Sequence, residues 1–572
     1  MKRINYLASF LFAAIILSSC GGLDKMKEEA SNVKYNVTPK VLEMHGGKVK
    51  YAITGDIPAE WFNKSCTAEF TPVYKFNGEE VKLESKIYQG EKVEGNNKVI
   101  AFETGGSIDF AGEFEYKEAM RVGELEMRVV ATLKDKSLDL GTLKLADGVI
   151  STPLLVMIDP MPITFGDNFQ RVLAESKNAD IHYMIQRSDV RKTELTSEDV
   201  KELEAFVKES VETANKKFKG IEISAYASPD GPETLNEKLS AERKKSADQY
   251  LAKVVGKTKM SKEDATAIYQ MKSTAEDWDG FKKLVEASTI QDKDLILRVL
   301  SMYSDPVVRE KEIKNISATY KVLADQILPQ LRRSEIVVNI EKTGFSDEQI
   351  LDFAINKPDT LNIEELLYAG KLAQTNEDKA KIYAAATVKY PTCFRAWNNL
   401  GYANMMLKNL TDAKANFDKA NELKANDPII TNNLGVIALL NGDKENAQKL
   451  FLSATDAGNS VDYNLGIIKI MDGEYEAAVN YFQNHTTFNT ALAMLLAGKN
   501  DSAMKTIDAV EGDNAMNYYL KAVIAARIGN EGVVLENLKT AIEKKAELKE
   551  LAKTDLEFRT FLANEVFKAL VE

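Results

Sequence analysis

The chain has 572 residues, of which 44% are hydrophobic and 28% charged, so its length predicts several globular domains rather than one. Its formal net charge of −12 at pH 7 argues against a nucleic-acid-binding protein, because binding to the phosphate backbone requires a basic surface. The three cysteines are far apart and the three histidines are scattered, so the sequence predicts neither a disulfide framework nor a metal site.

Residues 1–19 have the pattern of a secretory signal peptide. Basic residues follow the initiator methionine, and residues 6–17 form an apolar run that is too short to cross a membrane. The run ends in Leu-Ser-Ser-Cys at residues 17–20, which resembles a bacterial lipobox. The resemblance implies that Cys20 is lipidated and becomes the mature N terminus, with its acyl chains as the membrane anchor. Residues 20–31 are polar and are predicted to be a short tether.

The residues after Cys20 bear on the membrane to which the protein is sorted. Gly21 and Gly22 follow the cysteine, and by resemblance to lipoprotein sorting signals the lack of Asp there implies the outer membrane. Lipoproteins displayed on the surface of Bacteroides-like bacteria often carry an acidic run at this point, whereas only Asp24 is present here. We therefore expect the periplasmic face of the outer membrane, with attachment through the lipid anchor alone.

Residues 32–155 have the alternation and spacing of an all-β domain. The runs 68–76 and 81–88 flank an Asn-Gly pair, which is the strongest short signal of a hairpin. Further short strands at intervals of roughly eight to fifteen residues favour a β-sandwich, with an immunoglobulin-like fold as the expected form. The aromatic side chains near residue 61 and at Tyr74 are expected in the core, and a sugar-binding face is the alternative.

Residues 156–345 predict an α+β domain with strand–helix–strand–helix–strand order. A strand at 221–225 leads into a turn at 228–231, and a helix with a buried apolar stripe begins near residue 233. The loop and the first turns of the helix bring polar groups to one rim, where free backbone N–H groups suit an anion.

This stretch resembles the OmpA C-terminal family, which anchors outer-membrane proteins to peptidoglycan. The residues that fall on the family pattern are Gly231, Asn236, Leu239, Ser240 and Arg243. The resemblance implies that the domain binds the diaminopimelate side chain of the peptidoglycan stem peptide, and Arg243 matches the arginine that holds its carboxylate. Ser228 stands where the family has the aspartate that holds the amine, and Asp230 in the same turn is the candidate substitute.

Residues 255–328 form an insertion that the family lacks. The segment is rich in helical apolar patterns. Two interpretations are open: the insertion covers the ligand rim, or it extends the helical layer of the domain.

Residues 360–572 repeat themselves with a period of 34 residues. One unit contains Trp397, Leu400, Gly401, Ala413, Phe417 and Ala420, and the next contains Leu434, Gly435, Ala447, Phe451 and Ala454. This pattern is typical of tetratricopeptide (TPR) repeats, and it predicts an all-α solenoid of about six helix pairs.

Resemblance to other TPR solenoids implies a concave face that holds a peptide or a partner protein. The candidate partner-binding residues are Asn398, Asn399, Asn404, Asn432 and Asn433, which lie on the first helices of their repeats. An asparagine side chain can hydrogen-bond an extended peptide backbone. The alternative is that these residues only solvate the surface.

The sequence as a whole predicts a multidomain, non-catalytic outer-membrane lipoprotein. Its OmpA-like domain would tether the envelope to peptidoglycan, and its TPR repeats would recruit a protein partner. A pure protein–protein adaptor with a degenerate OmpA-like domain and a surface glycan-binding lipoprotein are the alternatives. No Ser/His/Asp set, phosphate-binding loop or paired-acid motif is present, so we expect neither an enzyme nor a cofactor.

Overall fold

A computed structural model describes residues 21–257 and 269–572. The predicted signal peptide and the predicted lipidation site at Cys20 lie outside these residues. Contacts between residues divide the chain into two compact units, of which the first combines Met1–Gly166 with Gln374–Glu572 and the second is Asp167–Ala373. Within the described ranges, no helix combines the length and the apolarity that a membrane crossing requires.

The first unit begins with a helix and a β-rich region. Its elements are α1 (Gly21–Glu28), β1 (Lys34–Thr38), β2 (Leu42–His45), β3 (Lys48–Ile57), β4 (Thr67–Phe76), β5 (Glu79–Lys82), β6 (Lys86–Gly90), β7 (Lys98–Ile100), β8 (Gly106–Glu115), β9 (Gly123–Leu133), β10 (Lys136–Asp147) and β11 (Val149–Ile150). One sheet has the order β1-β3-β2-β11 with β8 paired to β3, and the other has the order β10-β9-β4-β6-β7 with β5 paired to β4. Trp61, Phe62 and Tyr74 are buried in the core that these strands share, as expected.

The predicted tether at residues 20–31 is corrected by the structure. Residues 21–28 form helix α1, whose Leu23 and Met26 are buried in the core of the β-rich region. The indole Nε1 of Trp61 donates a hydrogen bond to the carbonyl oxygen of Met26 at 3.0 Å. Two apolar residues three positions apart share one face of a helix, so they can hold an otherwise polar segment against the strands.

The rest of the first unit is an array of helices. They are α11 (Asn376–Lys389), α12 (Phe394–Met406), α13 (Leu410–Leu423), α14 (Pro428–Leu440), α15 (Lys444–Ser453), α16 (Asn459–Met471), α17 (Tyr475–Tyr481), α18 (Phe488–Leu496), α19 (Asn500–Ala509), α20 (Ala515–Ile528), α21 (Glu531–Lys544), α22 (Leu548–Thr554) and α23 (Glu565–Val571).

Close packing within three of the helix pairs explains why a glycine and a phenylalanine recur in these repeats. A glycine on the first helix lies against a phenylalanine on the second, in the pairs Gly401 with Phe417, Gly435 with Phe451 and Gly466 with Phe482. A Cβ atom added to any of these glycines would come within 2.5–2.7 Å of the ring. The two helices can approach this closely only because the glycine has no side chain.

The second unit contains a four-stranded sheet and helices. Its elements are β12 (Val172–His182), α2 (Glu198–Glu212), β13 (Lys216–Tyr226), α3 (Glu233–Gly256), β14 (Tyr269–Thr274), α4 (Trp278–Ala287), α5 (Lys293–Met302), α6 (Pro306–Asn315), α7 (Ser317–Gln326), α8 (Leu328–Leu331), β15 (Arg333–Thr343), α9 (Asp347–Asn356) and α10 (Ile363–Leu372). The sheet order is β12-β15-β13-β14, and β14 runs parallel to β13.

The described part of the predicted insertion at 255–328 is rich in helices, and it also contains strand β14. The sequence did not indicate this strand, because its six residues carry little apolar alternation. The second unit begins at Asp167, so the predicted domain boundary at residue 156 is corrected. Residues 156–166 belong instead to the first unit.

Candidate functional site

Residues 156–166 form a segment, here called the strap, that lies along the helical array without helix or strand of its own. It follows a short 3₁₀ turn at Thr152–Leu155. The first helices of four successive pairs present an asparagine toward the strap, and these residues are Asn399 on α12, Asn433 on α14, Asn464 on α16 and Asn489 on α18. All four are at most 1% exposed.

Each of these four asparagines forms two hydrogen bonds with the backbone of one strap residue. The side-chain oxygen accepts from the backbone N–H, and the side-chain nitrogen donates to the carbonyl oxygen of the same residue. The pairs are Asn399 with Phe165 (2.8 and 2.9 Å), Asn433 with Ile163 (2.7 and 2.7 Å), Asn464 with Met161 (2.6 and 3.1 Å) and Asn489 with Met157 (2.9 and 2.8 Å).

The strap lies in a groove of the helical array, and two further asparagines together with the four above form the floor of this groove. Asn398 Nδ2 donates to the carbonyl oxygen of Ile163, and Asn432 Nδ2 donates to that of Met161, both at 3.1 Å. Their own side-chain oxygens accept from Asn433 at 2.8 Å and Asn464 at 2.9 Å, respectively. Bonds within the two Asn-Asn pairs join these contacts, so the amides from Asn398 to Asn464 form one connected network, which fixes the orientation of each member.

The backbone hydrogen bonds between the strap and the array follow a two-residue period along the strap. Its hydrogen-bonded residues have odd numbers, whereas Pro160 and Pro162, which have no backbone N–H, occupy even positions between them. A period of two is that of an extended chain, in which alternate residues face one surface. Because residue numbers rise along the strap as they fall along the array, the two run in opposite directions.

Side-chain contacts near the two ends of the strap set its register. The Phe165 ring packs edge-on against Phe394 with 5.0 Å between centroids, and Lys424 Nζ lies 4.5 Å from the Phe394 centroid. Toward the other end, the Asp159 carboxylate accepts hydrogen bonds from the Tyr463 hydroxyl at 2.8 Å and from Asn489 Nδ2 at 3.0 Å.

The asparagines predicted from sequence divide into two groups. Four of them, Asn398, Asn399, Asn432 and Asn433, lie in the row that contacts the strap, and what the structure places against them is a segment of the same chain. Asn404 lies outside this row. Sequence reasoning missed Asn464 and Asn489 because the spacing between repeats shortens after Asn433. Alternate prolines in 156–166 were the available signal for the strap.

The residues that the OmpA resemblance assigned to peptidoglycan lie together in the second unit, where Ser228, Asn236 and Arg243 are buried and Asp230 is partly buried. Arg243 is 1% exposed, and its guanidinium donates to the carbonyl oxygens of Tyr226 at 2.9 Å and Arg187 at 3.1 Å. Burial lowers the pKa of Arg243 to about 10. Asn236 Nδ2 donates to the carbonyl oxygen of Gly231 at 3.0 Å.

Arg332 completes this cluster, and sequence reasoning did not assign it a role. Its Nε donates to Ser228 Oγ at 3.1 Å, and its Nη2 donates to the Asp230 carboxylate at 2.9 Å. Ser228 Oγ in turn donates to Asp230. The carboxylate predicted to hold a ligand amine is therefore paired with a cation of its own chain.

Part of the predicted insertion lies close to the turn at residues 228–231. Pro229 lines a small cavity together with Trp278 on α4 and Ile313 on α6. Both helices belong to the predicted insertion, so this part of it lies over the turn, which was one of the two interpretations. In the described part of the chain, no group of His, Cys, Asp and Glu side chains has the arrangement of a metal site.

No protein-family model matches the chain, and no curated protein matches it. Several solved structures are similar to parts of it. YrrB, described as a TPR protein with an unusual peptide-binding site, is 21% identical, with 32% of this chain and 99% of that chain covered and a TM-score of 0.26. The pilF protein of Pseudomonas aeruginosa is 18% identical, with coverages of 38% and 99% and a TM-score of 0.28.

A tetratricopeptide repeat protein from Parabacteroides merdae is 15% identical, with coverages of 39% and 89% and a TM-score of 0.28. These TM-scores are all well below 0.5. The assignment of helical repeats therefore depends on the 34-residue period and the glycine–phenylalanine packing of this chain itself.

Proposed function

We propose that this protein is a non-catalytic adaptor whose helical array clamps extended polypeptide through its row of buried asparagines. The observation that carries this proposal is the set of four asparagines that each bind both the N–H and the carbonyl group of one strap residue. In the described state the clamp holds the strap of its own chain. It thereby joins the β-rich region to the array as parts of a single unit.

The chemistry of the clamp suits an adaptor rather than an enzyme. The asparagines contact the main chain, which is common to all peptides, so binding depends on extended conformation more than on sequence. Each neutral hydrogen bond contributes about 1 kcal/mol net, because both partners exchange water for each other. A row of such bonds supplies affinity without a reactive group.

Hydrogen exchange of the strap amides tests the clamp in the full-length chain. Replacing Asn433 and Asn464 together with alanine removes the acceptors of the Ile163 and Met161 amides. We expect these amides to exchange at least about tenfold faster, since about 1.4 kcal/mol corresponds to a factor of ten. The matched control is Asn404→Ala on the same array, which should leave the exchange rates unchanged. Equal rates in all three proteins would exclude the clamp.

The membrane location is part of the proposal and is supported by sequence alone. The apolar run that ends in the lipobox-like motif at residues 17–20 favours a lipid anchor on Cys20 and an outer-membrane location. Metabolic labelling with a tagged fatty acid, followed by membrane fractionation, tests it. The wild type should carry the label and Cys20→Ser should not; a label on both proteins would rule out Cys20 as the site.

A peptidoglycan tether is the second candidate function. It is favoured by the convergence of Ser228, Asp230 and Arg243 in one cluster of the second unit, at the positions that the OmpA resemblance indicates. A ligand amine would have to displace Arg332 from Asp230. Titration of the full chain with a diaminopimelate-containing muropeptide should then show saturable binding that Asp230→Asn abolishes. If calorimetric titration of the folded protein shows no binding heat, the tether is excluded and the adaptor remains as the proposed function.

A further inference from the structure

We propose that the strap is a displaceable internal ligand, and that the partner of the array is an extended peptide that takes its place. This inference depends on the proposed clamp and adds the chemistry of the partner and the regulation of the site. Three observations support this inference: the floor of the groove is polar, the strap is partly exposed to solvent, and the contacts between them follow a defined pattern.

The floor of the groove is built for exchange rather than for permanent burial. A fixed joint inside a folded unit is usually apolar, because burial of apolar surface is the main stabilising contribution. Here the strap rests on amide groups, and water can hydrogen-bond those amides once the strap has left. The strap also packs Val156, Met157 and Met161 against the core of the array, so its departure costs the net value of the hydrogen bonds and of this apolar contact, while water can bind the freed amides.

The strap also lies at the open side of the groove. Of residues 157–166, only Pro160 is buried, whereas Ile158, Asp159 and Thr164 are exposed. Ile158, for example, is 40% exposed although it is apolar. The strap can therefore leave the groove without any separation of the helices beneath it.

The contacts define which peptide would fit. The chain must run opposite to the order of the repeats, and it must present backbone N–H groups at alternate residues. Proline is compatible with the positions between them, where Pro160 and Pro162 lie in the strap. Tyr463 and Asn489 accommodate a carboxylate, and Phe394 with Lys424 accommodates an aromatic ring six residues later. The partner is thus an extended, proline-containing peptide with an acidic residue upstream of an aromatic one.

Covalent attachment makes the strap a strong competitor for this partner. A segment tethered beside its site has a high effective concentration, about millimolar for short flexible links. A peptide in solution must exceed this competition before it binds. The array is therefore closed in the state described, and it becomes available to a partner when the strap is released.

A peptide with the sequence of residues 155–167, carrying a fluorophore, tests the exchange on the full-length chain. The variant Ile163→Pro/Phe165→Pro removes two strap amides that donate to Asn433 and Asn399, and it leaves the array unchanged. We expect the peptide to bind this variant at least tenfold more tightly than the wild type. Adding Asn433→Ala to the variant should abolish binding, as should alanine in place of the peptide's acidic and aromatic residues.

Hydrogen exchange of the unmodified chain supplies a second measurement, which does not depend on the folding of a variant. If the strap opens locally, the amides of Met161 and Ile163 exchange at least 100-fold faster than core amides such as that of Ile467 on α16. Exchange of both sets at one rate, or equal peptide binding to variant and wild type, would overturn the inference. The clamp itself would still stand, provided that Asn433→Ala/Asn464→Ala accelerates exchange of the strap.

Discussion

The hydroxyl of Thr152 donates a hydrogen bond to the buried carboxylate of Glu557, a residue 405 positions further along the chain. The same carboxylate accepts from Arg527 Nε at 2.9 and 3.0 Å. The turn that precedes the strap is thus joined to the C-terminal helices by a charge-assisted network. Because Glu557 is buried, these donors replace the water that would otherwise solvate its carboxylate.

Arg527→Ala should therefore destabilise the first unit strongly. Removing one partner of a buried ion pair costs about 3–5 kcal/mol, because the remaining charge stays buried without compensation. We expect a clear fall in the midpoint of thermal unfolding of that unit. The control is Lys544→Ala, which breaks an exposed pair with Asp513 and should leave the midpoint nearly unchanged. Similar shifts in both variants would contradict the role assigned to Glu557.

A proline scan of the strap should reproduce its two-residue period. Ile163→Pro removes the amide that donates to Asn433 at 2.7 Å, so the neighbouring strap amides should exchange about tenfold faster, as expected for about 1.4 kcal/mol. Thr164→Pro changes an exposed position between two bonded residues. The exchange rates should stay within about twofold of the wild type, which corresponds to about 0.4 kcal/mol. If the two variants behave alike, the odd-numbered register is wrong.

The glycines that pack on phenylalanine rings in three of the helix pairs should not tolerate even an added methyl group. A Cβ on Gly435 would lie 2.7 Å from the Phe451 ring, and such overpacking costs about 1–3 kcal/mol. Gly435→Ala should accordingly lower the midpoint of thermal unfolding of the array by several degrees. At Gly166 an added Cβ meets no atom within 4 Å, so Gly166→Ala serves as the control and should leave the midpoint nearly unchanged.

Asp555 should make the stability of the first unit depend on pH. Burial raises the pKa of Asp555 to about 6, although the Tyr519 hydroxyl donates to its carboxylate at 2.7 Å. Because the folded state binds this proton more tightly than the unfolded state, the contribution of Asp555 to stability is greatest below about pH 4 and falls as pH rises toward 6.

The substitution Asp555→Asn keeps an acceptor for Tyr519 and removes the charge. The variant should gain stability relative to the wild type at pH 7.5, by up to about 3 kcal/mol, and this gain should shrink as the pH falls through 6 toward 4. Denaturation curves of both proteins across this range provide the measurement. A stability difference that is the same at every pH would show that the carboxyl group does not titrate as expected.

The helical array was largely predictable from the sequence, whereas the occupant of its groove was not. The spacing of Gly401 and Phe417 and of their counterparts 34 residues later reports packing within one helix pair, which is a local property. The Asn-Asn pair at 398–399 recurs 34 residues later, so part of the asparagine floor of the groove was also predictable from the sequence. The strap was assigned to the following domain because its contacts are 229 or more residues away, and no local pattern encodes such a partner.

The second unit shows the opposite limit of sequence reasoning. The positions of Ser228, Asp230 and Arg243 were predicted to come together, and they lie in one cluster. Their exposure was not predictable, because it depends on Arg332, about 100 residues away, and on helices of the insertion. A motif specifies which residues converge, but the surrounding chain determines whether a ligand can reach them.

The division of the chain into a discontinuous first unit has a consequence for its synthesis. The strap emerges from the ribosome before the residues Asp167–Ala373, and the helices that hold it emerge only afterwards. At about 5–20 residues per second, this delay is roughly 10–40 s. During that time the nascent strap has no groove to occupy. The first unit can be completed only when the helices of the array have been made and have closed around this segment.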